Sequence, residues 1–361
     1  MDINNKTNKP NHLIVQEIEV EKEIKELQNQ LPNYLADYFI FLRSSVSLAT
    51  RKAYLHDIKA FFNYLKDELK LDIENVDVIN NIKARDINQY LYYCRRYIKE
   101  NNDSVQVYEN HNRSLSRKKS SIVSMIKFLY RNEQIDEEIT PGLNPIKMPK
   151  VTPESIKRLH EDELFELLDV VSNGTGLTKH ELKYWEKTKY RDKAILLLFL
   201  TYGLRLKELV NLNLSSFHLK RKEFTIFRKR DKETQMPLND TVETALKDYI
   251  ELERHFLNST DEALFLSLQG KRITSRAVRE LVKKYTSIVM QTSRKSAYSP
   301  HKLRATAAST LIERGFSIYD VQNLMDHDNV TTTQYYAAHK KNVRKNIIGN
   351  FELDNNKNRD E

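Results

Sequence analysis

Cysteine is almost missing from this chain of 361 residues: Cys94 stands alone, which excludes an intrachain disulfide and a zinc site built on cysteines. It closes the stretch Tyr90-Leu91-Tyr92-Tyr93-Cys94, where the helical pattern suits a small buried residue. A reducing, cytoplasmic setting is expected. Long apolar runs are missing too. The longest, 194–200, falls far short of the roughly 20 residues that cross a bilayer as a helix, so no membrane insertion is expected. Residues 1–11 are polar and rich in Asn and Lys and lack the apolar centre of a signal peptide. Gly174 and Gly176 lie in 172–189, a loop or broken helix without the pattern of a phosphate-binding glycine loop. No internal repeat is detectable.

What is present points elsewhere. With 40% hydrophobic residues the chain buries one or two ordinary cores, and domain sizes favour two. Lys and Arg number 59 against 50 Asp and Glu, a net charge of +9. Simple solubility would account for such a charge, but it also favours a polyanionic partner, because each cation set on a phosphate releases condensed counterions.

Periodicity divides the chain. Residues 8–30 are charged with a helical pattern, and the Glu/Lys alternation over 17–26 reads as a solvated or loosely attached face. Leu48-Ala49-Thr50 opens a helix with Tyr54, Ile58, Phe61, Phe62, Leu65 and Leu69 at spacings of three and four. A second helix is expected over 84–99, with Ile87, Leu91, Cys94 and Ile98 inward, then a polar loop over 101–112 and a third helix over 115–131. The entry to that third helix, Arg113-Ser114-Leu115-Ser116-Arg117-Lys118-Lys119, is basic and small, as a phosphate-facing surface would be. Pro141, Gly142, Pro145, Pro149 and Pro153 then mark an interdomain linker. Beyond it, helices over 161–171 and 191–201 precede two short strands, 223–227 and 234–238, joined by a basic turn. Helices follow to the end, apart from the apolar run 263–268.

Four separated segments carry polar groups able to break a phosphodiester without a metal: Thr201-Tyr202-Gly203-Leu204-Arg205-Leu206-Lys207-Glu208-Leu209, Arg228-Lys229-Arg230-Asp231-Lys232, Ser299-Pro300-His301-Lys302-Leu303-Arg304, and Leu324-Met325-Asp326-His327 running on to Tyr336. A phosphodiester under attack gains negative charge, which fixed guanidinium groups stabilise through paired hydrogen bonds. Pro300 suits the first turn of a helix, which places His301 and Arg304 on one face. A phenol with an ordinary pKa of about 10 is a poor nucleophile at neutral pH, and clustered cations lower that value and hold the phosphate in line.

Taken together, the four segments resemble the tyrosine recombinase and integrase family over about 156–350, with its helical core-binding domain echoed over 31–136. The resemblance implies a mainly α fold with a small antiparallel β-sheet, arranged as a two-domain C-shaped DNA clamp. It implies a polar helical extension over 1–30, a SAM-like core-binding domain over 31–139, a linker over 140–155, the catalytic domain over 156–350 and a polar tail over 351–361. It makes Arg205 and Arg304 the phosphate clamp, with His301 and His327 beside them. Tyr336 is the nucleophile, with Tyr335 its rival, and Glu208 the supporting acid. Lys229 is the general acid that protonates the leaving 5′-oxygen, with Lys232 the runner-up and Arg228 and Arg230 competing. The family usually has Leu-Gly-His where this chain has Met325-Asp326-His327, and Asp326 is expected to face away from the phosphate.

Further implications concern partners. The chemistry needs neither cofactor nor metal. Double-stranded DNA carrying a recombination site is the expected partner, contacted by Arg51, Lys52, Arg117, Lys118, Lys119 and Arg276, with Arg43, Lys271, Arg272 and Arg279 nearby. A homotetramer would form by exchange of the C-terminal helix around 342–350, a septal DNA translocase would control it, and the enzyme would act at the nucleoid. The extent of both domains is most like Xer-type enzymes that resolve chromosome dimers. A mobile-element integrase, a type IB topoisomerase-like enzyme and a noncatalytic DNA-binding regulator are the competing readings.

Overall fold

The computed structural model describes residues 9–101, 104–149, 157–228 and 232–326. The chain divides into two units, Met1–Lys150 and Val151–Glu361. In the first, the apolar stripe on the helix α3 (Leu48–Asp67) meets α1 (Asn11–Gln28), α2 (Ala36–Ser45) and α6 (Asn112–Arg131). Leu55, Ile58, Phe61, Phe62 and Leu65 of α3 are buried. The Ser47 side chain caps α3 by accepting from the Thr50 backbone N–H, as a serine at that position does. Short α4 (Asp77–Asn81) and α5 (Ala84–Arg95) complete the helical part.

Two expectations change here. The helix α1 is packed rather than loose: Ile24 and Leu27 are buried in the core, with Leu31 just beyond it. Its Glu21 and Glu23 pair with Arg51 and Lys52 of α3, so the acidic residues that read as a solvated face serve a neighbour. The second correction concerns 84–112. The helix α5 stops at Arg95, and the next residues form an antiparallel hairpin of β1 (Arg96–Asn101) and β2 (Ser104–Glu109). Tyr97 faces Tyr108 across it with rings stacked at 5.2 Å, and Ile98 is exposed rather than inward. Tyr97, Ile98, Val105, Val107 and Tyr108 are good strand formers, and cross-strand pairing outweighs the helical period that carried Ile98 along.

In the second unit, α7 (Glu161–Asn173), α8 (Lys179–Trp185) and α9 (Lys189–Tyr202) lead to α10 (Leu206–Val210). The run 194–200 lies in α9, where 194–199 are all buried; a helix apolar on every side is a central core helix, and α7, α11 (Asp240–Tyr249) and α13 (Pro300–Glu313) pack on it. A three-stranded antiparallel sheet runs β3 (Phe217–His218), β4 (Glu223–Phe227), β5 (Glu233–Pro237). After α11 come α12 (Ser275–Val289), α13 and α14 (Ile318–Met325). The apolar run 263–268 adds no strand, only isolated bridges from Ala263 and Leu266. The fold is mainly helical with small antiparallel sheets, as the sequence implied. No helix among the described residues is long and apolar enough to cross a membrane.

Candidate active site

The C-terminal end of α14 organises the site. A helix leaves its last carbonyls without intrahelical donors, and the dipole makes that end negative. Here the Asp326 N–H serves the carbonyls of Gln322 and Asn323. The next three are taken by arginines from three other elements: Arg228 donates to Leu324 at 2.7 Å, Arg304 to Met325, and Arg205 to Asp326. Three guanidinium groups are thereby set side by side on consecutive peptide units.

Each arginine has its own local cause. α9 ends at Gly203, whose φ of +59° is the left-handed geometry of a helix C-cap. The turn after it delivers Arg205 to the head of α10, where the Arg205 N–H donates to Glu208 Oε2 at 2.7 Å and Arg205 Nη1 to Oε1 at 2.8 Å. Glu208 is buried, so one carboxylate fixes both the backbone and the guanidinium of Arg205. Arg304 lies on α13, which opens with Pro300 in its first turn. At 5% exposure, Arg304 also donates to the Gly203 carbonyl, tying α13 to the end of α9. His301 stands one turn earlier on α13 and is exposed. Lys302 is pushed below the usual lysine range by partial burial and by Lys157.

Asp326 does not turn away. At φ +49°, a conformation that Asp and Asn tolerate better than most residues, it puts Oδ1 3.2 Å from Lys232 Nζ and Oδ2 3.4 Å from Arg205 Nη1. Burial opposes its ionisation, but the hydrogen bond from Lys232 and the charges of Arg228, Lys232 and Arg205 hold it below the usual carboxylate range. A carboxylate beside a phosphate must turn outward or pair with a base, and here it pairs: three local cations take the place of the outward turn. Arg228, first read as a competitor for the general acid, is 7% exposed, and burial lowers its pKa. No sequence signal reported its role, since its partner Leu324 is 96 residues away.

Lys229, His327, Tyr336 and their rivals Arg230 and Tyr335 lie outside the described residues, as does 342–350. The DNA-contact candidates mostly have partners within the chain. Arg51 and Lys52 pair with Glu21 and Glu23, Arg117 and Lys118 share Asp57, and Lys119 donates to the carbonyls of Leu143 and Asn144. Arg272 is spent on the carbonyls of Val210 and Leu212 and on Asn213. Arg43 is exposed on α2, and Arg276 in the first turn of α12.

Comparison with known proteins follows the same division. Residues 157–343 match the phage integrase family, and 35–133 match the phage integrase N-terminal SAM-like domain. The tyrosine recombinase XerD of Oceanobacillus iheyensis is 31% identical over 322 residues, 88% of this chain and 97% of that protein. The tyrosine recombinase XerC of Caldanaerobacter subterraneus is 31% identical over 304 residues, 80% of this chain and 77% of its own. Among solved structures, the XerH site-specific recombinase bound to difH substrate aligns with a TM-score of 0.61 at 16% identity, over 93% of this chain and 85% of that one. A lambda integrase tetramer bound to a Holliday junction aligns at 0.57 and 14%, over 85% and 78%. Family models match both units and relatives match over most of their length: the chain belongs to the phage integrase family, as a Xer-type tyrosine recombinase that exchanges DNA strands.

Proposed function

We propose that Tyr336 attacks the scissile phosphate while Arg205 and Arg304 hold the non-bridging oxygens, assisted by His301 and His327. Tyr336 gives up its phenolic proton to solvent, and its oxygen bonds to phosphorus as the bond from phosphorus to the 5′-oxygen breaks. The departing electron pair goes to the 5′-oxygen, which takes a proton from Lys229. A 3′-phosphotyrosine is left, and attack by another 5′-hydroxyl reverses the step, so the phosphodiester energy is conserved and no nucleotide is consumed. Glu208 supports Arg205. The observation that carries this reading is the seating of Arg205 and Arg304 on adjacent carbonyls at the end of α14, immediately before His327.

The cellular role that fits is resolution of chromosome dimers to monomers before segregation, carried out at the nucleoid in the cytoplasm by a tetramer on two DNA sites. Exchange of the segment around 342–350 between protomers and control by a septal translocase belong to this reading, and a mobile-element integrase is its alternative. Curated relatives named tyrosine recombinase XerD and XerC support the Xer-type part of this reading. The core-binding part would span 31–139 and the catalytic part 156–350, with Arg51, Lys52, Arg117, Lys118, Lys119 and Arg276 at phosphates.

The decisive test is a nicked suicide duplex of the recombination site. Wild type and Tyr335→Phe should accumulate a covalent protein–DNA complex, and Tyr336→Phe should give none. Loss of the complex in Tyr335→Phe alone would reassign the nucleophile.

A further inference from the structure

We propose that Asp326 is a positioning residue that fastens the turn between β4 and β5, which carries Lys229, to the C-terminal end of α14. The inference rests on the reading of Lys229 as general acid. Both feet of that turn are described. Arg228, at its start, and Lys232, at its end, are joined by the Arg228 N–H donating to the Lys232 carbonyl at 2.8 Å. Each foot also reaches α14. Arg228 Nη2 donates to the Leu324 carbonyl at 2.7 Å, and its Nη1 lies 4.0 Å from Asp326 Oδ2. Lys232 Nζ donates to Asp326 Oδ1 at 3.2 Å.

The electrostatics favour the same assignment. The Nε and Nη1 atoms of Arg228 are buried and have no hydrogen-bond acceptor among the described residues. A buried guanidinium with two unpaired nitrogens depends on nearby anions; Glu208 and Asp326 supply the charge, and of the two Asp326 also reaches Lys232 at the other foot of the turn. Asp326 also occupies a left-handed position where glycine is the residue that fits without strain. Aspartate adds to that backbone the one thing glycine lacks, a carboxylate, and it points at Arg205 as well. One side chain thus links Arg205 to both feet of the turn, Arg228 and Lys232.

A general acid matters only when the leaving group is a poor one. Replacing the 5′-bridging oxygen of the scissile phosphate by sulfur gives a thiolate leaving group that departs without a proton, so defects in proton donation disappear on that substrate. The experiment measures the rate of covalent-complex formation on oxygen and sulfur duplexes for wild type, Asp326→Asn, Lys232→Gln, the double variant and Lys229→Ala. Asparagine keeps the left-handed backbone and the size of the side chain while removing the charge.

Asp326→Asn should be slowed about tenfold or more on the oxygen substrate, a part of what general acid catalysis supplies, and restored to near wild type on sulfur. Lys232→Gln, a solvent-exposed change, should show the same rescue, and the double variant should be no slower than Asp326→Asn, because both remove one contact. Lys229→Ala should show the largest rescue. Equal losses on both substrates, no loss at all, or additive effects in the double variant would overturn the positioning role. Rescue of Lys232→Gln without rescue of Lys229→Ala would make Lys232 the acid and also overturn it. A wild type that forms no adduct on either duplex would instead refute the Tyr336 reading.

Discussion

Arg304 shows at residue scale why charge alone does not define this site. Its two terminal nitrogens hold the carbonyls of Gly203 and Met325 from a buried position, and a lysine ammonium lacks the planar fork that spans both. Arg304→Lys should therefore leave a buried carbonyl unpaired, at about 1–3 kcal/mol. Thermal unfolding should show that loss, and suicide-duplex assays a failure to form the covalent complex. Asp192 gives a pH test. Buried, it opposes its own ionisation, yet Arg191, Lys284 and the Tyr285 hydroxyl pull its pKa below the usual carboxylate range. A depressed folded pKa means that its contribution is full above the unfolded value of about 3.9 and is lost as pH falls through the folded one. Asp192→Asn should cost about 3–5 kcal/mol at neutral pH by stranding buried cations. Denaturant melts between pH 7 and acid should show a flatter decline for the variant than for wild type.

Elements were legible from the sequence where one signal acted alone. The strand pair around 223–238 and the helices α3, α6 and α7 follow their apolar patterns, α9 follows its continuous apolar run, and Pro300 marked the start of α13. Arg205, Glu208 and Arg304 were legible because each sits in a short contiguous motif. The hairpin β1–β2 was missed because the spacing Ile87, Leu91, Cys94, Ile98 continues a helical stripe past the true end of α5, and only pairing with 104–109 decides against it. Asp326 was misjudged because its partners Arg228 and Lys232 come from a distant turn. At this scale Gly203 is the sensitive joint between α9 and α14. Its φ is +59°, and an added Cβ would lie 2.4 Å from Met325 Cε. Gly203→Ala should cost about 1 kcal/mol or more in backbone strain alone and displace the Met325 side chain. A lower melting temperature together with slower cleavage would show both effects.

Over the whole molecule, a net charge of +9 does not mean nine free cations. Five of the six DNA-contact candidates are engaged within the chain, so DNA phosphates at those positions compete with internal acceptors. The exposed pair Lys52–Glu23 makes this measurable: Glu23→Gln should tighten DNA binding a few-fold at low salt, with the gain fading as screening shortens the reach of charge. Arg276→Ala should reduce the slope of log affinity against log salt by about 0.9 if that side chain meets one phosphate.

The single tryptophan sets a practical consequence of the division into two units. Trp185 is buried among 151–361 and donates its indole N–H to the Val171 carbonyl at 2.8 Å, while 1–150 contains no tryptophan. Indole emission therefore follows the unfolding of one unit only, whereas circular dichroism follows the helices of both. Recording the two signals in one denaturant titration follows the units without cutting the chain, and a gap between the midpoints shows that they do not unfold together.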